Sequence, residues 1–402
     1  MAPLHSARNG LVLTGGGARA AYQVGALMAL ARITRSLENP FQVISGFSAG
    51  AINGAWLASR GASFEQDTTD MWQAWAKITT DQIFKADALS LFGIGFQWLK
   101  DRTMGGLSPQ HQITYLLNTS PLRKFLNSQI DFEKLHKNVE DGRFHAISVT
   151  AVSYVSGHST TFFSGDRRIE TWQSLNRRSE RAKLGPQHVL ASAAIPIFFP
   201  PVRIGNDFFG DGMVRLNAPL SSAIHLGAKK LLVIGVRGPS SASTEPHQPV
   251  TSVSISEIAG TILNGLFFDS LDADLARMDR INRTLSVLSE DELLQQPDHL
   301  RVIPLLSLKP SEEIGDLAIC QLSRIPSALR HLLKGIGLSE DRGKDLLSYL
   351  SFEPKFIRTL LELGYEDTLR HKIEVLEFFE RSEDPRKKER GPETEPLIAT
   401  SP

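Results

Sequence analysis

Ser48 stands at the centre of Gly46-Phe47-Ser48-Ala49-Gly50, a G-x-S-x-G pattern between the apolar run Phe41 to Ile44 and a stretch of small and apolar residues reaching Trp56. A serine between two glycines is otherwise only a turn; the flanking strand and helix give the pattern its meaning. A strand that breaks into a helix at such a serine makes a sharp elbow. The glycines admit the turn, the hydroxyl projects above the sheet, and the helix N-terminus favours negative charge developing beside it. The chemistry on offer is nucleophilic attack on an acyl carbon, which needs a base for the hydroxyl proton and donors for the oxyanion.

Gly15-Gly16-Gly17-Ala18-Arg19 can supply the donors. It follows the apolar run Leu11 to Thr14 and precedes Val24, Leu27, Met28 and Ala31 at helical spacing, so it reads as a glycine turn between strand and helix. In a parallel sheet such a turn exposes successive backbone N–H groups beside the elbow. The rival reading is dinucleotide binding, because Gly15-x-Gly17-x-x-Ala20 approximates G-x-G-x-x-G/A. That fingerprint wants an acidic residue at the end of the next strand, and here the next strand ends in Gly46-Phe47-Ser48. For the base, no histidine after Ser48 lies in a glycine-containing loop behind an obvious strand. Asp211 does: Phe208-Phe209-Gly210-Asp211-Gly212 is an apolar strand breaking at an aspartate between glycines. A carboxylate so placed can hydrogen-bond a serine directly. Without Ser48 it would be an ordinary turn aspartate.

The glycine loop Gly15 to Arg19, the elbow Gly46 to Gly50, the stretch Ala191-Ser192-Ala193-Ala194-Ile195-Pro196 with Phe199-Pro200-Pro201, and Asp211-Gly212 occur in the order found in patatin-like phospholipases, and over residues 9–236 the chain resembles that family. The resemblance implies a three-layer α/β fold with a mainly parallel central sheet. It also implies a Ser48-Asp211 dyad without histidine, working through an acyl-enzyme. Gly16, Gly17 and Ala18 would hold the oxyanion through their N–H groups, with Arg19 as the family's usual basic residue there. Gly15, Gly46, Gly50 and Gly212 are its motif glycines. No metal and no cofactor is implied. The substrates it points to are phospholipid or lysophospholipid acyl esters met at a membrane or micelle surface. Acyl transfer on the same dyad, or a non-catalytic lipid-binding module that keeps the fold, are the alternatives. Two departures stand out: Ala20 replaces a common glycine, and Met213 follows Asp211-Gly212, where it is placed to crowd the site.

These residues must be held by an α/β domain over residues 9–238, with strands expected at Phe144 to Val155, Ser159 to Phe163, Asp207 to Gly210 and Lys230 to Val236, and helices at Glu65 to Trp75 and Leu122 to Leu126. A Pro/Ser-rich stretch after Gly238 marks a boundary. Residues 239–381 read as a mainly helical region with one apolar exception, Leu300 to Leu306. In it, Gly364 is expected to close a helix bearing Phe356, Ile357, Leu360 and Leu361, and Leu369, Ile373 and Leu376 to open another. Residues 1–8 read as a tail and 382–402 as a disordered one.

With 402 residues, 41% hydrophobic and 22% charged, the composition is that of a globular protein. Forty-four basic residues balance 44 acidic ones, so no global charge recruits nucleic acid or anionic lipid. Membrane contact must then be local and apolar, and the candidates are Leu89 to Leu99 as a lid or interfacial patch, Ile262 to Phe268, and Ile195 to Phe199. Residues 1–9 carry no apolar core of signal-peptide length and no run of about 18 apolar residues occurs. The expectation is a cytoplasmic protein in transient contact with membranes, with Cys320 as a buried thiol. A second copy of the chain or an activating protein are the partners left open.

Overall fold

The computed structural model describes residues 8–85, 115–239, 253–294, 300–339 and 343–380. The expected lid segment Leu89 to Leu99 and the expected C-terminal tail lie outside these residues. Ten strands form one sheet: β1 (Asn9–Leu13), β2 (Val43–Phe47), β3 (Ala146–Ser153), β4 (Ser159–Gly165), β5 (Gln173–Ser174), β6 (Arg177–Arg181), β7 (Val202–Ile204), β8 (Asp207–Asp211), β9 (Lys230–Ile234) and β10 (Leu305–Leu308). The spatial order is β10-β9-β1-β2-β3-β4-β6-β5, with β10 through β3 all parallel. β2, β3 and β9 are buried along their whole length, as a parallel sheet covered on both faces requires.

Helices cover the two faces, giving the three layers that the resemblance implies. The helix Ala49–Ala58 lies over Ile44 and Gly46, close enough that a side chain at Gly46 would strike Ala51. On the opposite face, where Phe47, Thr150 and Thr161 point, Ser222 of the helix Pro219–His225 meets Thr161 at 3.3 Å. The strands and helices expected from sequence are present, with ends shifted by a few residues.

The C-terminal region joins this body instead of sitting beside it. The apolar exception in its sequence is β10, which extends the sheet by pairing with β9 in parallel. Its longest packing partner is α1 (Ala21–Thr34), which is buried nearly all round because the helix Pro354–Arg370 crosses it. Gly364 does not end that helix. A side chain there would overlap the Tyr22 carbonyl, and one at Gly25 of α1 would overlap the Leu361 carbonyl. The two glycines let the helix backbones touch, so the pattern read as a stop is a crossing point. Cys320 also departs from expectation. It follows the helix Ile314–Ile319, whose buried side is Ile314, Gly315 and Ala318, and is exposed.

At an exposed position inside a helix Gly→Ala would be stabilising by up to about 1 kcal/mol. At a backbone crossing it must push two helices apart, and overpacking of this kind costs about 1–3 kcal/mol or more. Urea unfolding of Gly364→Ala should therefore show a clear loss of stability; a gain would mean that the crossing is not tight.

Candidate active site

β2 ends at Phe47, and Ser48 follows at φ 52°, ψ −127°, before the helix Ala49–Ala58 begins. Positive φ on a residue with a side chain is strained and persists only where neighbours enforce it. The Ser48 N–H donates to Ser192 Oγ at 2.9 Å, and Ser192 Oγ donates to the Thr150 carbonyl at 2.6 Å, which ties the elbow to β3. A side chain at Gly50 would overlap the Leu13 carbonyl, so the second motif glycine is there to let β1 pass. Ser48 is 1% exposed.

Sheet register brings the aspartate to the serine. β3 carries two partners in succession along one edge: Thr150 is paired with Phe47, the last residue of β2, and Ala151 with Asp211, the last residue of β8. β8 runs antiparallel to β3, so β2 and β8 meet end to end and their final residues abut. Gly212 carries the chain away where a side chain would overlap the Thr150 carbonyl. Asp211 is fully buried. Its N–H donates to the Ala194 carbonyl at 2.9 Å, and its Oδ1 accepts the Met213 N–H at 2.9 Å. Among the described residues Oδ2 has no fully formed hydrogen bond, although the Ser48 hydroxyl lies near enough to stabilise the carboxylate. Met213 does not crowd the cavity: its side chain is buried elsewhere and it serves through its N–H.

The glycine loop closes the third side. Gly16 (φ 157°, ψ 15°) leads into a single 3-10 turn, Gly17–Ala20. The N–H groups of Gly16, Gly17 and Ala18 meet no acceptor among the described residues, whereas that of Arg19 is taken by the Gly16 carbonyl at 3.1 Å. Three donors without an acceptor thus lie in the loop, and Gly17 lines the cavity together with Ser48. Arg19 is not among them. Its guanidinium is buried and turned to the helix Lys344–Leu350, where Nη2 meets Asp345 Oδ1 at 2.9 Å and Nε meets Ser348 Oγ at 2.6 Å. Behind the loop, Gln23 Nε2 donates to the Thr14 carbonyl and Asn53 Nδ2 to the Ala20 carbonyl and Gln23 Oε1, so Ala20 fits where a glycine was expected.

A narrow apolar cavity with only about 20 Å³ of free volume opens at Ser48, walled by Trp75, Ile83, Leu122, Phe125, Phe199 and Phe352. No histidine among the described residues lines it. His188, the buried histidine of the Pro186–Ser192 helix, accepts the Gly185 N–H at Nδ1, and burial pushes its pKa down to about 4, so it is neutral. Ser192, Gln23, Asn53 and the Arg19 partners were not legible as site residues. Ser192 alone had a signal, as the polar residue in an otherwise small and apolar stretch between two motifs.

The patatin-like phospholipase family model matches residues 11–224, which includes the elbow, the glycine loop and Asp211. The chain belongs to the patatin-like phospholipase family. Among solved structures this patatin-like chain is similar to human GIVD cytosolic phospholipase A2 in complex with methyl gamma-linolenyl fluorophosphonate, at 14% identity and TM-score 0.44 over 94% of this chain and 60% of that one. It is also similar to VipD from Legionella pneumophila, at 13% identity and TM-score 0.35 over 91% and 67%. The chain therefore spans about 60% of the length of the human enzyme. No curated protein matches it.

Burial pushes the Asp211 carboxyl up to about 7; the Ser48 hydroxyl and the Met213 N–H oppose the shift without cancelling it. In an unfolded chain an aspartate titrates near ~4. Between those values the folded state holds the proton more tightly, so stability declines as pH rises from about 4 to 7 and is flat above. Asp211→Asn removes this penalty. It should match wild type in urea unfolding at pH 4 and exceed it at pH 8 by as much as about 3–4 kcal/mol; equal stability at both pH values would show that the carboxyl is not held in a desolvated site.

Proposed function

We propose that the chain is a lipid acyl-ester hydrolase of the phospholipase A or lysophospholipase type, with Ser48 as nucleophile and Asp211 as its base. The observation that carries this reading is a buried carboxyl, raised to about 7, whose free Oδ2 faces a strained serine at the floor of an apolar cavity. A pKa near the working pH suits a group that must take and return a proton. The lining of the cavity is apolar, as contact with an acyl chain requires, and family membership supports ester chemistry on lipids.

In the proposed cycle the Ser48 Oγ attacks the acyl carbonyl carbon while Asp211 Oδ2 takes the hydroxyl proton. The carbonyl oxygen becomes an oxyanion held by the N–H groups of Gly16, Gly17 and Ala18. The bond to the leaving alcohol then breaks as Asp211 returns its proton to that oxygen, leaving an acyl ester on Ser48. Water attacks the acyl-enzyme, Asp211 takes one of its protons, and the fatty acid departs as Ser48 is reprotonated. The histidine of an ordinary triad has no task left, because one carboxyl beside the serine serves both half-reactions.

Exposed apolar side chains offer contacts for a lipid surface. Ile197 is exposed at φ 71°, between the cavity residues Ile195 and Phe199, and Ile255, Ile258 and Ile262 are exposed along the helix Ile255–Asn264. Phe268 is instead buried against Arg19. Fatty-acid release from mixed phospholipid and lysophospholipid micelles, with EDTA present, tests the proposal. Ser48→Ala and Asp211→Asn should each lose activity by a factor of about 10³ or more at unchanged fold. An Asp211→Asn protein that keeps wild-type turnover would place the base elsewhere.

A further inference from the structure

We infer that Arg19, Asp345 and Ser348 form a latch that positions the oxyanion loop, so that the donor geometry of the site is set from a part of the chain outside the family-matched residues. Its catalytic consequence rests on the hydrolase reading above; its mechanical part rests on the geometry alone.

The turn is closed by the Arg19 N–H on the Gly16 carbonyl and the Ala21 N–H on the Ala18 carbonyl, and Gln23 and Asn53 hold the Thr14 and Ala20 carbonyls from behind, whereas its three donors are unpaired among the described residues. The C-terminal region adds a hold on the other side. Gly17, at φ 56°, lies directly under the backbone of Tyr349, so close that any side chain at Gly17 would overlap the Tyr349 carbonyl. Two residues on, the Arg19 side chain is 1% exposed, and its polar contacts are Ser348 Oγ and Asp345 Oδ1. Its flat faces meet Tyr349 and Phe268, with Cζ at 4.6 and 5.2 Å from the ring centroids.

A guanidinium buried this way must be paired, because leaving either charge alone in the interior is costly. The fork also demands arginine. Nε and Nη2 reach two different residues of one helix, and a lysine ammonium at the end of a flexible stem cannot fix both at once. The helix is itself anchored: Ser348 Oγ donates to the Asp345 carbonyl, and Tyr349 Oη donates to Asn264 Oδ1 at 3.1 Å. Phe352, just beyond it, walls the cavity at Ser48. The short helix and the segment that follows it therefore reach both the donor loop and the apolar cavity. Arg19, Asp345 and Ser348 are positioning residues, since none is placed to reach the reacting ester.

The test compares full-length wild type with Arg19→Lys, Asp345→Asn and Ser48→Ala, by hydrogen exchange of the peptide containing Gly16, Gly17 and Ala18 and by steady-state hydrolysis of a short soluble ester. Asp345 is 28% exposed, so its substitution preserves the test if Arg19→Lys fails to fold. The latch predicts severalfold faster exchange of the loop amides in Asp345→Asn, with kcat lower by about 10- to 100-fold and KM changed little, as expected when donors are misplaced in the transition state. Ser48→Ala should abolish turnover without altering loop exchange. Folded Asp345→Asn with unchanged loop exchange, or with faster exchange but wild-type kcat, would overturn the latch. Ser48→Ala that retains full turnover would instead defeat the hydrolase reading, and the exchange comparison would still decide whether the latch holds the loop.

Discussion

Two strands meeting head to head along one edge of β3 create the Ser48–Asp211 pair, and most of the molecule serves that junction. Because Phe47 is paired with Thr150 and Asp211 with Ala151, the elbow and the aspartate cannot be moved independently of the sheet. The junction lies under helices and apolar side chains, so the carboxyl loses water. Its Oδ1 is compensated by the Met213 N–H and its Oδ2 is left for the serine. Desolvation is what raises the carboxyl to about 7. The apolar lining of the cavity at Ser48 is part of the same dry environment.

Strain and close approach follow from bringing three chain reversals to one point. The elbow, the glycine loop and the turn after Asp211 all sit at the ends of strands no more than two residues out of step. Ser48 bears the strained conformation itself and is held by Ser192. Elsewhere the crowding is relieved by glycine: Gly50 under β1, Gly212 over β3, and Gly17 under Tyr349. These positions explain why the motif residues recur as glycines in this chain, by contacts and not by analogy.

The elements that meet at the candidate site were readable in the sequence because each is local. Ser48, Asp211 and the glycine loop sit at strand ends that apolar runs reveal, and the turn chemistry at each is written in adjacent residues. What was not readable depends on partners distant in sequence. Arg19 is placed in the loop by its motif, but its direction is decided by Asp345 and Ser348, more than 320 residues away. Gly364 looked like a helix stop because the helix it crosses lies near the other end of the chain. β10 is a four-residue strand in a helical context, and only the free edge of β9 gives it a reason to exist. Cys320 was misplaced because a short helix buries too few positions for its neighbours to fix its side.

The central claim is that a single buried carboxyl, without histidine, activates Ser48. The most direct measurement is the pH dependence of Ser48 phosphonylation by a small alkyl fluorophosphonate, in which the Oγ–P bond forms as fluoride leaves, with the labelled residue located by peptide mass spectrometry in wild type and Asp211→Asn. The account predicts labelling at Ser48, a rate rising through one midpoint near 7, and loss of both rate and midpoint in Asp211→Asn. A midpoint that survives in Asp211→Asn would contradict it, because another group would then be removing the serine proton.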